Sequence, residues 1–379
     1  MTDRPRAWHG DAPGITIPVA RPLLPSADEL VPYLREIDAT RLYANRGPLV
    51  RRLEARLAQR LGTADDGVTL LSSGTAALVE MLAALEIAPG RLCMMPAWTF
   101  AATAHAAAQA GLVPWFVDVD PRDGALTARL ALEQIARAPG PLGAVLAVAP
   151  FGQPPATDVW IAFRERTGVP VAIDAAAAFD TVRATAIPTA VSLHATKTLG
   201  VGEGGFVTWT DTDGIRSIRQ RSNFGFRGTR EAQLAGTNAK MAEYAAAAGL
   251  AALDRWPQAR AGFERVARGY RTAFANAPEI AFQPGYGERW ISSTAVVRVP
   301  PGRLDAIEDA LAERGIGSRR WWGDGLASHR AFAHHPSAPL PATQALAQTS
   351  LGLPCWRDLP DDAIASIAEV VVAACRELE

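Results

Sequence analysis

Between residues 68 and 174 the chain alternates short apolar runs with helical stretches, and this alternation narrows the folds open to it. The runs at 68–72, 92–95, 113–119, 144–149 and 169–173 are apolar and β-favouring, each bounded by glycine, proline or polar residues. Between them, residues 74–85, 99–110, 127–138 and 158–166 carry apolar side chains at helical spacing. Strands that are apolar on both sides, each followed by a helix, predict an α/β fold with a mostly parallel central sheet covered by helices on both faces. In such sheets ligands gather beyond the carboxyl ends of the strands. The polar residues there are Ser72-Ser73-Gly74-Thr75, Asp174, and Ser192 to Lys197, which follows a further run at 190–191. These are expected to converge.

The flanking segments suggest three parts. Residues 1–20 read as an N-terminal arm, 21–255 as a large ligand-binding domain, and 256–379 as a smaller α+β domain. Ser26 and Glu29 have capping-box spacing, although Pro32 predicts that the regular helix starts near it. Gly47-Pro48 opens a second helix with Leu49, Leu53, Leu57 and Leu61 on one face, stopped by Gly62. Further helices are expected at 212–222, 241–253 and 258–276. The small domain should contain strands at 294–299 and 318–322 and helices at 304–314 and 361–376.

Composition excludes several classes. With 49% hydrophobic residues and a net charge of −1, the chain has material for a large core and no basic footprint for nucleic acid. Cys93, Cys355 and Cys375 lie far apart, without metal-ligand or disulfide-framework spacing. No apolar run is long enough to span a membrane, and the amino terminus lacks the apolar core of a signal peptide. The expectation is a soluble cytoplasmic protein with no metal site.

One stretch carries chemistry. Residues 188–205, PTAVSLHATKTLGVGEGG, read as a strand, a polar loop and a glycine-rich turn into a second strand at 206–209. Among 38 basic residues only Lys197 and Lys240 are lysines. Compositional bias towards arginine explains most of that depletion, but an amine that must lose its proton to attack a carbonyl cannot be arginine. Lys197, on the loop after a strand, is the candidate Schiff-base amine; a solvated loop lysine is the bland alternative.

The residues around it match what pyridoxal 5′-phosphate requires. Its phosphate needs backbone donors and a helix amino terminus. Gly74 and Thr75 open a helix straight after a strand, although an ordinary N-cap would read the same way. Ser192 adds a hydroxyl. The ring nitrogen needs a carboxylate, and Asp174 ends a buried strand. Phe100 is the candidate slab over the ring, with Trp98 the alternative.

The ordered pieces PVARPLLP, YANRGP, SSGTAAL, PAWTFAAT, PWFVDVD, FGQP, IDAAAAFD, SLHATKTLGVGEGGF, GTNAKMAE and LGLPCW run from Pro18 to Trp356. In these the chain resembles the DegT/StrS-type sugar aminotransferases, within the fold-type I (aspartate-aminotransferase-like) pyridoxal-phosphate enzymes. The resemblance implies Lys197 as the residue carrying the cofactor, Asp174 on the ring nitrogen and Phe100 on the ring. It implies Thr75, Ala76 and Ser192 at the phosphate, with Asn238 reaching it from the neighbouring subunit of a homodimer. It also implies amino transfer, with glutamate as donor, to a keto group of a nucleotide-linked deoxysugar, with C4 the expected carbon. A cyclitol or another natural-product ketone would use the same residues. A non-catalytic relative should have lost Lys197 or Asp174, and a dehydratase of the family would carry histidine in place of Lys197.

One position departs from the resemblance. Three residues after Asp174 the family usually has glutamine; here it is Ala177, which puts that contact to the cofactor's phenolic oxygen in doubt. Weaker candidates are Lys240 as an anion contact, and His329 and Gln153 as substrate contacts. His194 reads equally as a site residue or a satisfied core histidine, Glu203 as a loop carboxylate, and His334 and His335 lack metal spacing.

Overall fold

A computed structural model describes residues 14–376. The first described helix, α1 (Ala27–Thr40), starts earlier than the proline suggests, at the Ser26 cap. Ser26 Oγ accepts from Glu29 N, and Glu29 Oε2 accepts from Ser26 N at 2.8 Å. The box settles the first-turn donors, so Pro32 removes one helical bond without stopping the helix. In α2 (Pro48–Leu61), Leu49, Leu53, Leu57 and Leu61 form the buried stripe, and Gly62 closes the helix at φ 73°. That stripe packs on α8 (Glu243–Asp254), each leucine contributing about 1.5–3 kcal/mol by burial.

The alternating region folds as β1 (Val68–Leu71), α3 (Gly74–Ala83), β2 (Leu92–Pro96), α4 (Ala101–Gln109), β3 (Val113–Val117), α5 (Ala128–Ile135), β4 (Leu142–Val148), α6 (Thr157–Thr167) and β5 (Val171–Asp174). Then come β6 (Thr189–Ser192), β7 (Gly205–Thr208) and α7 (Thr212–Arg221). The seven strands lie in the order β1-β7-β6-β5-β4-β2-β3. Only β7 runs against the rest, pairing antiparallel with both β1 and β6. The sheet is therefore mostly parallel.

The strand pattern explains why both faces are covered. Leu70, Met94, Val145, Ile173, Val191 and Phe206 point into one core. Their neighbours Leu71, Met95, Leu146, Ala172, Ala190 and Val207 point into a second core on the opposite face. A period of two with apolar residues at every position requires a helical layer on each side.

The remainder comprises α9 (Trp256–Ala273), β8 (Ala281–Phe282), β9 (Ala295–Arg298), α10 (Leu304–Glu313), α11 (Pro341–Ala347), β10 (Ser350–Leu353) and α12 (Asp361–Arg376). A small antiparallel sheet, β10-β9-β8, packs with α9, α10 and α12 around its own core, from Val266 to Cys375. We propose the domain boundary between α8 and α9. The strand expected at 318–322 does not form. Arg319 makes a single bridge to Gly352, and residues 321–324 turn away. The indole of Trp321 crosses Gly352, where a Cβ would lie only 2.1 Å from its Nε1, so pairing with β10 stops at the Arg319 bridge. The stretch after that turn returns to the large sheet: Leu326 N donates to Ala97 O at 2.8 Å, and Ala338 N to Phe116 O at 2.8 Å.

Candidate active site

Three strand ends at the carboxyl edge of the large sheet build the site. After β1, Ser73 is the N-cap of α3; its Oγ accepts from Ala76 N at 3.0 Å. The turn presses against β6 and β7. A Cβ on Gly74 would stand 2.8 Å from Ser192 Cβ, and one on Gly205 would stand 2.6 Å from Ser73 O. Glycine is required at both positions by this close approach. Ser192, the last residue of β6, is buried, and its Oγ accepts from His194 N at 3.2 Å. With the Ala76 amide held by Ser73, the Gly74 and Thr75 amides are the open donors of the first turn.

Asp174 is the last residue of β5 and is buried. Its Oδ2 accepts from Thr103 Oγ1 at 2.8 Å and its Oδ1 from Ala176 N at 3.1 Å. Burial pushes the carboxyl pKa up; the Thr103 and Ala176 hydrogen bonds and the Lys197 charge oppose that shift. Lys197 follows the tight turn after β6, with its N donating to His194 O at 2.8 Å. Burial pulls the amine pKa down, and Asp174 pushes it back. The two groups thus act on each other's charge. Lys197 also lines a small cavity of about 40 Å³ with Leu24, Ser293, Trp356 and Arg357.

Phe100 is the N-cap of α4, one residue later than a helix start at Thr99 would put it, and is 61% exposed. Trp98 is buried, edge-on to Trp322 with ring centroids 5.4 Å apart. Of the two, Phe100 has its ring open. His194 Nδ1 lies 2.8 Å from Thr196 Oγ1, and its Nε2 lies 3.7 Å from Glu203. Gln153 follows the turn after β4, and its Oε1 accepts from Gln283 Nε2 at 3.4 Å. The methyl of Ala177 offers no donor, and its carbonyl packs so closely on Gly152 that a Cβ there would lie at 2.8 Å. His329 sits on the returning segment, stacked on Phe332 with His105 and His335 around the same ring.

Lys240 and Asn238 lie elsewhere. Residues 238–240 run along the outer edge of β1, where Ser72 N donates to Ala239 O at 2.8 Å. Asn238 is exposed. The Lys240 amine stands 4.6 Å over the Phe224 ring and lines a separate basic cavity of about 470 Å³ with Arg46, Arg51, Arg216, Arg219 and Arg227. The structure therefore unites Gly74, Ser192, Asp174 and Lys197, and leaves Asn238 and Lys240 on an outer face.

Two features escaped the sequence reading. Thr103, a lone hydroxyl in an alanine-rich turn of α4, holds Asp174. Phe151, at φ 54°, stacks on Trp322 with centroids 3.8 Å apart and ties the turn after β4 to the turn at residues 321–324. A non-glycine residue in that conformation is uncommon, and Phe151 is one of six among the described residues. The FGQP motif marked the turn but not its stacking partner.

A mostly parallel seven-stranded sheet, a small antiparallel second sheet, and a strand-end aspartate acting on a lysine define a pyridoxal-phosphate-dependent aminotransferase of fold type I. The chain belongs to the DegT/DnrJ/EryC1/StrS aminotransferase family, whose model matches residues 26–372. It is 27% identical over 373 residues to the dTDP-4-amino-4,6-dideoxy-D-glucose transaminase of Shigella dysenteriae, spanning 95% of this chain and 98% of that one. It is 30% identical over 356 residues to the UDP-N-acetyl-3-dehydro-alpha-D-glucosamine 3-aminotransferase of Acidithiobacillus ferrooxidans, spanning 92% and 94%. Among solved structures, DesI in the presence of its TDP-sugar product superposes with a TM-score of 0.84 at 31% identity, covering 95% of this chain and 93% of that one. Among the described residues no helix is long and apolar enough to cross a membrane, and no group of three or more candidate ligands is placed to hold a metal ion.

Proposed function

We propose that this protein transfers an amino group from glutamate to the keto group of a nucleotide-linked deoxysugar, at C4. The observation that carries the reading is a buried Asp174 at the end of β5 and a half-buried Lys197 on the turn after the neighbouring β6, acting on each other's charge. The substrate class follows the two transaminase relatives and the sugar nucleotide seen with DesI. The choice of C4 follows the Shigella enzyme.

The residues fit pyridoxal 5′-phosphate. Gly74 and Gly205 let the start of α3 close onto β6 and β7, which sets the first amides of the helix beside the Ser192 hydroxyl, and helix amides favour an anion there. Gly74, Thr75 and Ser192 would hold the phosphate, with Ala76 nearby through its Ser73-capped turn, and with Asn238 contributed by a neighbouring subunit. Asp174 would hold the proton on the ring nitrogen, and Phe100 would cover the ring. When bound, the cofactor supplies a conjugated ring that delocalises the electron pair left as a C–H bond beside nitrogen breaks.

Lys197 does the proton work. Its amine would be the group that holds the cofactor between turnovers. Its amine pKa is held down by burial, so Nζ accepts the proton from the donor Cα as a neutral base. In the return half-reaction Nζ delivers a proton to the sugar carbon that gains nitrogen. The kinetics are ping-pong.

The shared site of a homodimer explains the outer face. Leu42, Tyr43, Phe224 and Tyr244 are all exposed there, with Tyr43 and Tyr244 stacked at 6.2 Å. Phe224 N donates to Thr237 O at 2.9 Å, tying this patch to Asn238. The basic cavity around Lys240 then offers charge for the phosphates of a substrate bound next door. The test is a panel of nucleotide ketosugars with glutamate, read by mass spectrometry and by NMR of the aminated carbon. Amination of a cyclitol alone, or of none, would overturn the substrate assignment.

A further inference from the structure

Thr103, in the first turn of α4, is fully buried, and Thr99, just before the Phe100 cap of that helix, is 1% exposed, yet both keep hydroxyls. Their oxygens are 2.9 Å apart, and Thr103 Oγ1 is 2.8 Å from Asp174 Oδ2. A hydroxyl has one proton to give. An ionised Asp174 can only accept, so the Thr103 proton goes to the carboxylate, and the Thr103 oxygen must accept from Thr99. The direction of the chain is thereby fixed.

We infer that Thr99 and Thr103 form a one-way hydrogen-bond relay from α4 that keeps Asp174 ionised and aimed, making Thr103 the positioning residue for that carboxylate. The inference rests on the proposed role of Asp174 toward the cofactor ring. Each carboxylate oxygen has a donor from a different element, Thr103 from α4 on Oδ2 and Ala176 N from the loop after β5 on Oδ1. Two such anchors stop the carboxylate from rotating. Burial favours the neutral acid, and a neutral acid cannot serve as the counter-charge of a protonated ring nitrogen. The charge acting on Asp174 from the facing loop is the Lys197 ammonium. Lys197 must give up that charge to act as a base, so the Thr103 and Ala176 donors are the contributions that persist through the cycle.

The test compares Thr103→Val, Thr103→Ser, Thr99→Val and Asp174→Asn in the full-length enzyme, with and without cofactor. A hydrogen bond to a charged group is worth enough for Thr103→Val to lower kcat about 10- to 100-fold, with KM for the sugar unchanged. The acid limb of its kcat profile should move to higher pH. Thr103→Ser should restore both, and Thr99→Val should give a smaller shift in the same direction. The apoprotein supplies a readout independent of turnover. Losing the Thr103 bond raises the folded carboxyl pKa further, so the melting temperature of Thr103→Val should fall away from the parent as pH rises through that titration. The same substitution made in Asp174→Asn should lose this pH dependence. An unshifted acid limb together with a pH-independent melting difference, while Asp174→Asn is inactive, would reduce Thr103 to a packing residue and overturn the relay. Full turnover by Asp174→Asn would overturn the role of Asp174 instead, and the apoprotein titration would then decide the relay by itself.

Discussion

Substituting Gly74 by alanine probes the close approach of α3 to β6 directly. Gly74 has no positive φ, so alanine meets no backbone penalty and only space is at issue. Its Cβ would lie 2.8 Å from Ser192 Cβ, 2.9 Å from Ser192 Oγ and 3.2 Å from Ser192 Cα. Carbon pairs rest at about 3.5–4.0 Å, so the start of α3 must move roughly 0.7–1 Å away from β6. Ser192 cannot yield: it is buried and paired with Gly205 in the sheet. Overpacking of this kind costs about 1–3 kcal/mol, against about 0.4–1 kcal/mol gained from the stiffer unfolded chain. The net loss of about 1–2 kcal/mol corresponds to a melting temperature lower by roughly 1–3 °C in an apoprotein of 379 residues. Cofactor retention on gel filtration should fall as well, since the phosphate donors move with α3. The double variant Gly74→Ala/Ser192→Gly removes the clashing atoms and should recover stability beyond additivity, by about 1 kcal/mol or more. Wild-type melting and cofactor retention in Gly74→Ala would refute the close approach.

Glu243, 1% exposed, accepts from Leu49 N at 2.7 Å and Val50 N at 3.0 Å at the start of α2. Glu243→Ala strands two buried donors and should cost about 2–5 kcal/mol, read by thermal unfolding, with Glu243→Gln milder. Burial raises the folded pKa of Asp174 above its unfolded value. Apoprotein stability is therefore lost as pH rises from the ordinary aspartate range through that raised value, and is level above it. Asp174→Asn does not titrate, so its melting temperature should gain on the parent across that window; a constant difference would show that burial does not hold the group up. For the shared site, mixing inactive Lys197→Ala subunits with inactive Asn238→Asp subunits should regenerate activity in hybrids. An active monomer in sedimentation would exclude this arrangement.

The sheet was legible because each strand is apolar on both faces, as the two cores fed by Leu70 and Leu71 require. Gly74, Asp174, Ser192 and Lys197 were legible because each follows a strand, and strand ends meet. The reversal of β7 had no signal, since a buried strand reads alike in either direction. Residues 318–322 have the composition of a strand, but they pair with β10 only at Arg319 and turn away at 321–324, with the Trp321 ring lying across Gly352. Thr103 was hidden because its partner lies 71 residues away and a hydroxyl among alanines resembles helix filler. Lys240 and Asn238 could not be placed from the sequence, because neither follows a strand end: they run along the outer edge of β1.

The central claim is that Lys197 is the amine that carries the cofactor. Borohydride treatment of the purified holoenzyme, followed by peptide mass spectrometry, should find the reduced cofactor on the peptide containing Lys197 and nowhere else, with Lys197→Ala protein unlabelled. Label on Lys240, or an unlabelled but fully active parent enzyme, would contradict it.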